Sequence, residues 1–546
     1  MASTPTITKF PHVAALDKDN KVEFETPIEG QIEAGQIPSW LCGTWYRNGP
    51  GMVHFNEQSV AHWFDGMSLP RKFQIKNGKV FYQSRFMKGQ SYTKNMDAGR
   101  VVVPEFGTNV QTKLRAGFLS KGASSSLSYL RMIEERAASM VSLPEFTDNC
   151  LINYLYIGEH LFGISETNLV RRIDPDTLET LEKVDLSKYV PINLMSSNPI
   201  VDSEGTTYNF TTSLFSMGRT KYNLIKIPKS DPGTPFADAL SKAKTVQSVD
   251  SEWRLSPSYH HSFAMSDKYA VFTEQPFKLS VPKIAMAHWT KMSYSDALEY
   301  HTELKTHFHV IDKETGNLLS TNYVTDAMIV YQHINAYEED DHLILDLCQF
   351  DNPVFFHKYT MKNLQMSPEE YVKEFNKAEN VIRAKRFVIP LNASKKSPED
   401  ENLITLPGTT CTAFNVKGNI VLTGETITEN TDYPTINPKF MGKKYNYFYS
   451  TGGAVLPPGE KIMKIDIAGK KILKTWQEKG CWASRPAFIP RPNATDEDDG
   501  VILSSVHREG GNSFLLMLDG RTFEETRISF DAIIPPDLNG VFVPQK

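Results

Sequence analysis

The chain has 546 residues, a net charge of −5 with both signs mixed along its length, and a pI near 6.3, so no basic field is available to hold nucleic acid. No stretch approaches the ~20 apolar residues that cross a bilayer. The start Met1-Ala2-Ser3-Thr4-Pro5 lacks a charged head followed by an apolar run, so a cytoplasmic protein is expected.

Residues 1–25 read as an N-terminal extension to a single domain that takes up the rest of 1–546. From Trp45 a turn-rich run, Arg47-Asn48-Gly49-Pro50-Gly51, leads through His62-Trp63-Phe64-Asp65-Gly66 to the short strand Val80-Phe81-Tyr82. Over 116–141, Phe118, Leu119, Leu127, Tyr129, Leu130, Met132 and Ile133 stand among serines, Lys121 and Arg131. That spacing suits an amphipathic helix, either resting in a membrane interface as a peripheral contact or packed as a lid on the protein's own core.

Short apolar runs with Asp, Asn and Gly turns then recur: Leu161-Phe162-Gly163-Ile164, Ile173-Asp174-Pro175-Asp176 and Thr206 to Phe210. Pro257-Ser258-Tyr259-His260-His261-Ser262-Phe263 precedes the strand Tyr269 to Thr273. Histidines at a strand mouth can hold a metal, although a doublet also arises when one ring packs and the other meets solvent. Further strands are expected at Phe308 to Ile311, Leu343 to Leu347, Ile420 to Thr423, Val501 to Ser504 and Phe514 to Leu518. Ser367-Pro368-Glu369-Glu370 is a capping box with Pro at the first helical position, so a short helix follows through Phe375. Regular short strands over this length suit an all-β propeller, which adds blades without enlarging any one core. No repeat motif is legible. The five cysteines, Cys42, Cys150, Cys348, Cys411 and Cys481, are scattered without a CxxC pair, against a disulfide framework or zinc site.

Arg47 to Gly51, Trp63-Phe64-Asp65-Gly66, Ser165-Glu166-Thr167-Asn168, Pro257 to Phe263, His333-Ile334-Asn335-Ala336-Tyr337-Glu338 and Glu497-Asp498-Asp499-Gly500 together resemble the carotenoid cleavage oxygenases of the animal branch. The match runs from about Gly43 to the C-terminus. The resemblance implies a seven-bladed β-propeller with a helical cap over an apolar tunnel. It also implies iron(II) on the axis, held by four histidines of which three are oriented by glutamates.

Residue by residue, His261 matches a ligand position and Glu166 an orienting one, but the other ligand positions carry Asn198, Gln332 and Asn539. Asp432 and Arg485 stand where the remaining glutamates belong. Amide oxygens in place of imidazoles bind iron poorly. A guanidinium about 6 Å from a dication would repel it by about 5 kcal/mol at an effective dielectric of ~20. The expectation is therefore no metal and no cofactor. Arg485 and Asp432 are expected to form an ion pair that joins Asn198, Gln332 and Asn539 in a polar plug.

The tunnel survives this loss. Ser165, Tyr259, Phe350 and Phe55 match positions near the family's substrate passage, each with ordinary core packing as the plain alternative. The first reading is a non-iron binder of a long apolar isoprenoid: a carotenoid, retinoid or related terpenoid. The second is an enzyme on such a molecule. It would be either an iron(II) oxygenase or a metal-independent isomerase or hydrolase using Glu166, His261 or Asp432.

Overall fold

A computed structural model describes residues 10–56, 58–110, 146–216, 218–287, 292–452, 459–508 and 513–545; the segment expected at 116–141 lies outside them. Seven sheets of four to six strands follow one another around an axis as the blades of a propeller. The first blade takes Phe24–Glu29, Lys79–Ser84, Arg71–Lys76 and Gly43–Asn48, and is completed by the C-terminal strand Asn539–Pro544. Strands that begin each sheet touch the next: Asn539–Pro544 meets Asn153–Ile157, and Ile329–Glu339 meets both Ala264–Met265 and Thr431–Thr435.

The middle strands show why the sequence reads as unbroken apolar runs. In Ser513–Asp519, Phe514, Leu516 and Leu518 pack toward one neighbouring blade, while Leu515 and Met517 pack toward the other. A strand buried on both faces has no polar face to alternate with. Its partner Gly500–Arg508 divides likewise, with Val501 and Leu503 on one side and Ile502 and Val506 on the other. Seven apolar clusters occupy the seven blade interfaces. An eighth lies under the cap and holds Phe10, Val13, Leu16 and Val22, so the described part of the expected N-terminal extension is built into the molecule.

Turn chemistry sets the hairpins. Asn77-Gly78, Asp340-Asp341 and Lys417-Gly418 all have positive φ and form two-residue loops between paired strands, the geometry whose twist matches that of the strands. A second turn does recur between blades. In Asp174 to Leu178, Asp312 to Gly316 and Asp519 to Phe523, the Asp carboxylate accepts from backbone N–H groups two and three residues on. The fifth residue has positive φ and returns an N–H to the Asp carbonyl. This Asp-x-x-Thr-x repeat was hidden because only two of its five positions are fixed in type.

Ring closure uses both ends of the chain: Gln31–Ala34 pairs with Glu525–Ser529 in the last blade, and Gly43–Asn48 pairs with Asn539–Pro544 in the first. At Gly540, opposite Arg47, a Cβ would sit 1.9 Å from the Tyr46 carbonyl oxygen and 2.8 Å from Arg47 Cδ. Gly540→Ala is expected to destabilise by about 1–3 kcal/mol through overpacking, read from denaturant unfolding. An unchanged midpoint would show that the strand shifts freely.

The capping box forms as read: Ser367 and Glu370 exchange bonds at the start of the helix Pro368–Phe375. Tyr371 and Phe375 from this helix enter the cap core, where Phe10 meets Tyr371 edge-on at 4.8 Å. Among the described residues no helix is long and apolar enough to cross a membrane.

Candidate functional site

The residues singled out in the sequence come from strands and loops that surround the axis. Asn198 lies in the loop between Leu194–Met195 and Ile200–Val201, and His261 lies just before Ala264–Met265. Gln332 is within Ile329–Glu339, Asp432 within Thr431–Thr435, Arg485 between Cys481–Ala483 and Ala487–Pro490, and Asn539 begins the closing strand. Six different blades thus supply one site, which is how a propeller gathers side chains far apart in sequence.

Glu166 is the focus of one half. Its Oε1 lies 2.5 Å from His261 Nδ1, accepts from Tyr259 Oη at 3.0 Å and accepts from Ser197 Oγ at 3.4 Å. With Nδ1–H committed to the carboxylate, the neutral ring carries its lone pair on Nε2. That nitrogen has no bond among the described residues, and His261 lines the central cavity. Its neighbour His260 also reaches the cavity wall, but its Nε2 is 2.8 Å from Thr212 Oγ1, and burial pushes its pKa down to about 3. His333 turns away from the axis, with Nδ1 on Ser262 at 2.8 Å and Nε2 on Thr273 at 2.9 Å. Of the three, His261 leaves Nε2 and His260 leaves its buried Nδ1 without a hydrogen-bond partner among the described residues.

Arg485 organises the other half. It donates to Asn539 Oδ1 at 2.5 Å, to Asn198 Oδ1 at 3.3 Å and to the Pro434 carbonyl at 3.0 Å. Asn198 in turn donates to the His261 carbonyl at 3.0 Å, so the two halves are joined. The expected plug forms around Arg485, Asn198 and Asn539, but the expected contact ion pair with Asp432 does not. The Asp432 carboxylate instead accepts from the Tyr433 N–H at 2.7 Å and acts on Arg485 at longer range. The guanidinium is satisfied by neutral oxygens, which its planar fork reaches from three directions. Gln332 stays outside this network and lines the cavity.

Tyr433 has φ of 50° immediately before Pro434, in a strand whose pairing is irregular between Asp432 and Thr435. An aromatic residue in that region is strained, and here the strain turns Tyr433 into the cavity wall, where its hydroxyl lies 2.8 Å from Tyr359 Oη. Desolvation pushes the Asp432 pKa up to about 6 against the pull of Tyr433 N–H, Lys358, Arg485 and His261. A raised folded pKa lowers stability as pH rises from about 3.9, the unfolded value, to about 6, and the loss persists above that. Asp432→Asn is therefore expected to raise Tm at pH 7.5, with the gain fading as pH falls toward 4. A gap that stays constant over this range would refute the assignment.

The cavity, about 180 Å³, is walled by Phe106, Phe146, Leu151, Tyr331, Phe355 and Phe356 among others. Ser165 and Tyr259 line it as expected from the sequence. Phe350 and Phe55 do not. Phe350 stands behind the wall with its ring 4.9 Å from Tyr331 and 5.8 Å from Phe355, and Phe55 is in the cap core with Val53 and Trp63. Sequence reasoning missed Tyr331, because a bulge between Val330 and Gln332 brings both Tyr331 and Gln332 to one wall. It also missed Glu105, a cavity-lining carboxyl held well above its ordinary pKa by burial and by buried Asp65. The Thr147 hydroxyl donates to it at 2.7 Å.

The family model described as retinal pigment epithelial membrane protein, RPE65, matches residues 18–544. The chain belongs to this family. The β,β-carotene 15,15'-dioxygenase of Gallus gallus is 41% identical over 532 residues, covering 96% of this chain and 97% of that one. The enzyme of the same name from Mus musculus is 39% identical over 531 residues, 96% and 90% of the two chains. The mitochondrial carotenoid-cleaving dioxygenase of Mustela putorius furo is 34% identical over 533 residues, 95% and 94%. Among solved structures, a cobalt-substituted Synechocystis ACO covers 98% of this chain and 100% of its own at a TM-score of 0.72, with 18% identity, and so shares the fold.

Nearly full-length family members named as dioxygenases overturn the first reading drawn from the sequence, that of a non-iron binder without catalysis. The donor set of this family member nevertheless does not fit iron. Of the four axial positions only His261 carries an imidazole, two of the amide oxygens accept hydrogen bonds from a guanidinium, and among the described residues no three His, Cys, Asp or Glu side chains converge as a metal needs.

Proposed function

We propose that the chain is an enzyme acting on a long apolar isoprenoid of the carotenoid or retinoid class, with His261 and Glu166 as its acid–base pair. The names of its relatives support a polyene substrate. One observation carries the chemistry: His261 Nδ1 is anchored 2.5 Å from Glu166, and its Nε2 is open to an aromatic-walled cavity. An imidazole oriented by a carboxylate moves protons near neutral pH, and Glu166 stabilises the imidazolium when it forms.

Once Nε2 has taken a proton from solvent to form the imidazolium, its transfer to a polyene carbon makes the adjacent double bond single, which permits rotation. Return of a proton to Nε2 restores the conjugation, so the net change is geometric isomerisation. The faces of Tyr331, Phe355 and Phe356 suit the delocalised cation formed between these steps.

The test incubates the purified chain with all-trans retinal and with β-carotene in D2O, without dioxygen and with EDTA, and analyses isomers and deuterium by chromatography and mass spectrometry. Isomerisation with deuterium incorporation is expected. Absence of turnover, or turnover abolished by EDTA and restored by ferrous iron, would overturn the reading.

A further inference from the structure

The amides that replace imidazoles on the axis are not equivalent. Asn198 is fully used, its oxygen accepting from Arg485 and its nitrogen donating to the His261 carbonyl. Asn539 is used on one side only: Arg485 binds its Oδ1 at 2.5 Å, which fixes the amide flip and leaves Nδ2 with its two hydrogens and no acceptor among the described residues. Asn539 is 5% exposed and lines the cavity. Gln332 is 3% exposed, lines the same cavity, and its amide has no hydrogen-bond partner among the described residues. Two nearly buried amides therefore face, with unspent donors, a chamber whose other polar lining includes Glu105, Glu166, His261 and Asp432. Leaving such groups unmet is costly unless a ligand meets them.

We propose that Asn539 and Gln332 hold the oxygen of a neutral carbonyl, so that the substrate is an isoprenoid ending in an aldehyde or an ester rather than a pure hydrocarbon. This rests on the reading of the cavity as an isoprenoid site and names its substrate class. The charge balance selects a neutral group over a carboxylate. Among the described residues that line the cavity Glu105, Glu166 and Asp432 are present and no Lys or Arg is, so no cation is offered to an acid. Arg485 is spent on Asn539, Asn198 and Pro434, which makes it a positioning residue acting through Asn539. A carbonyl held there lies in the chamber that His261 also lines.

The test measures binding of three probes to the full chain by quenching of its tryptophan fluorescence: all-trans retinal, all-trans retinoic acid and the matching polyene hydrocarbon. Retinal is expected to bind about tenfold or more tighter than the hydrocarbon, in line with one or two net hydrogen bonds. Retinoic acid is expected to bind no tighter than retinal at pH 7.5. Gln332→Leu and Asn539→Leu should each remove most of that preference while hydrocarbon binding stays. Because Asn539→Leu also strips a partner from Arg485, Gln332→Leu, outside that network, is the deciding variant. The absorption maximum of bound retinal supplies a second readout and should move to the blue in Gln332→Leu.

Equal affinity for aldehyde and hydrocarbon, tighter binding of the acid, or a preference untouched by Gln332→Leu would each overturn the proposal. The two proposals fail separately. Aldehyde preference without turnover removes the acid–base enzyme and keeps this site, whereas turnover without preference does the reverse.

Discussion

Asp537→Ala is expected to cost about 3–5 kcal/mol of folding stability, the loss seen when one partner of a buried ion pair is removed. Arg47 is 2% exposed and Asp537 fully buried, and the guanidinium donates to Asp537 through Nε at 3.0 Å and through a second, shorter contact. Ser505 Oγ, on Gly500–Arg508 of the last blade, donates to the other carboxylate oxygen at 2.7 Å. Arg47 is on the first blade, its charge 4.7 Å from the Trp45 ring, and Asp537 lies just before the closing strand, separated from it by Leu538. One carboxylate therefore ties first blade to last, and its removal leaves a buried cation where the ring closes. Asp537→Leu combined with Arg47→Met should recover most of the loss, since apolar pairs of similar volume replace such bridges well.

The sign with pH follows from the same contacts. Burial raises the Asp537 pKa, and Arg47, Arg71 and Ser505 together more than reverse it, leaving it below the ordinary value. A depressed folded pKa contributes stability above the unfolded value of about 3.9 and loses it as pH falls through the folded one. The gap between wild type and Asp537→Ala in urea unfolding should thus be full at pH 7 and shrink below pH 4. A gap that widens in acid would contradict the assignment.

His261→Ala is expected to lower turnover of the polyene by about 10²–10⁴-fold, the contribution of a positioned acid–base group. Glu166→Gln should lose nearly as much: it keeps the shape but offers the ring a neutral partner in place of the carboxylate that orients it and stabilises its charge. Tyr259→Phe removes only a 3.0 Å donor to that carboxylate and should cost far less. Both His261 and Glu166 are partly open to the cavity, 15% and 23% by side chain, so these losses should come with little change in Tm. His261→Ala that isomerises as fast as wild type would remove the ring from the reaction.

Much of the architecture was legible because it is local. The capping box at Ser367 and the apolar runs at 501–504 and 514–518 depend on backbone preferences and burial within a few residues. The motif match placed Asn198, Asn539 and Arg485 on one axis, and the structure brings them into contact. What it could not supply was which group Arg485 would choose. Three neutral oxygens reached it, at sequence separations of 51, 54 and 287 residues, and Asp432 did not. Phe350 and Phe55 were misplaced for a similar reason: an aromatic one layer behind a wall has the same local sequence as one in the wall.

The sequence by itself determined the family, the strand rhythm, the single surviving imidazole with its Glu166, and the loss of nitrogen donors at three axial positions. Only the tertiary structure decided that Arg485 fixes the Asn539 amide, that a bulge brings Tyr331 and Gln332 to one wall, and that Glu105 borders the chamber. Strand propensity and turn chemistry act over a handful of residues. The direction of an amide, the dielectric around a carboxyl and the facing of a ring depend instead on what six blades bring to one axis, and no local stretch encodes that.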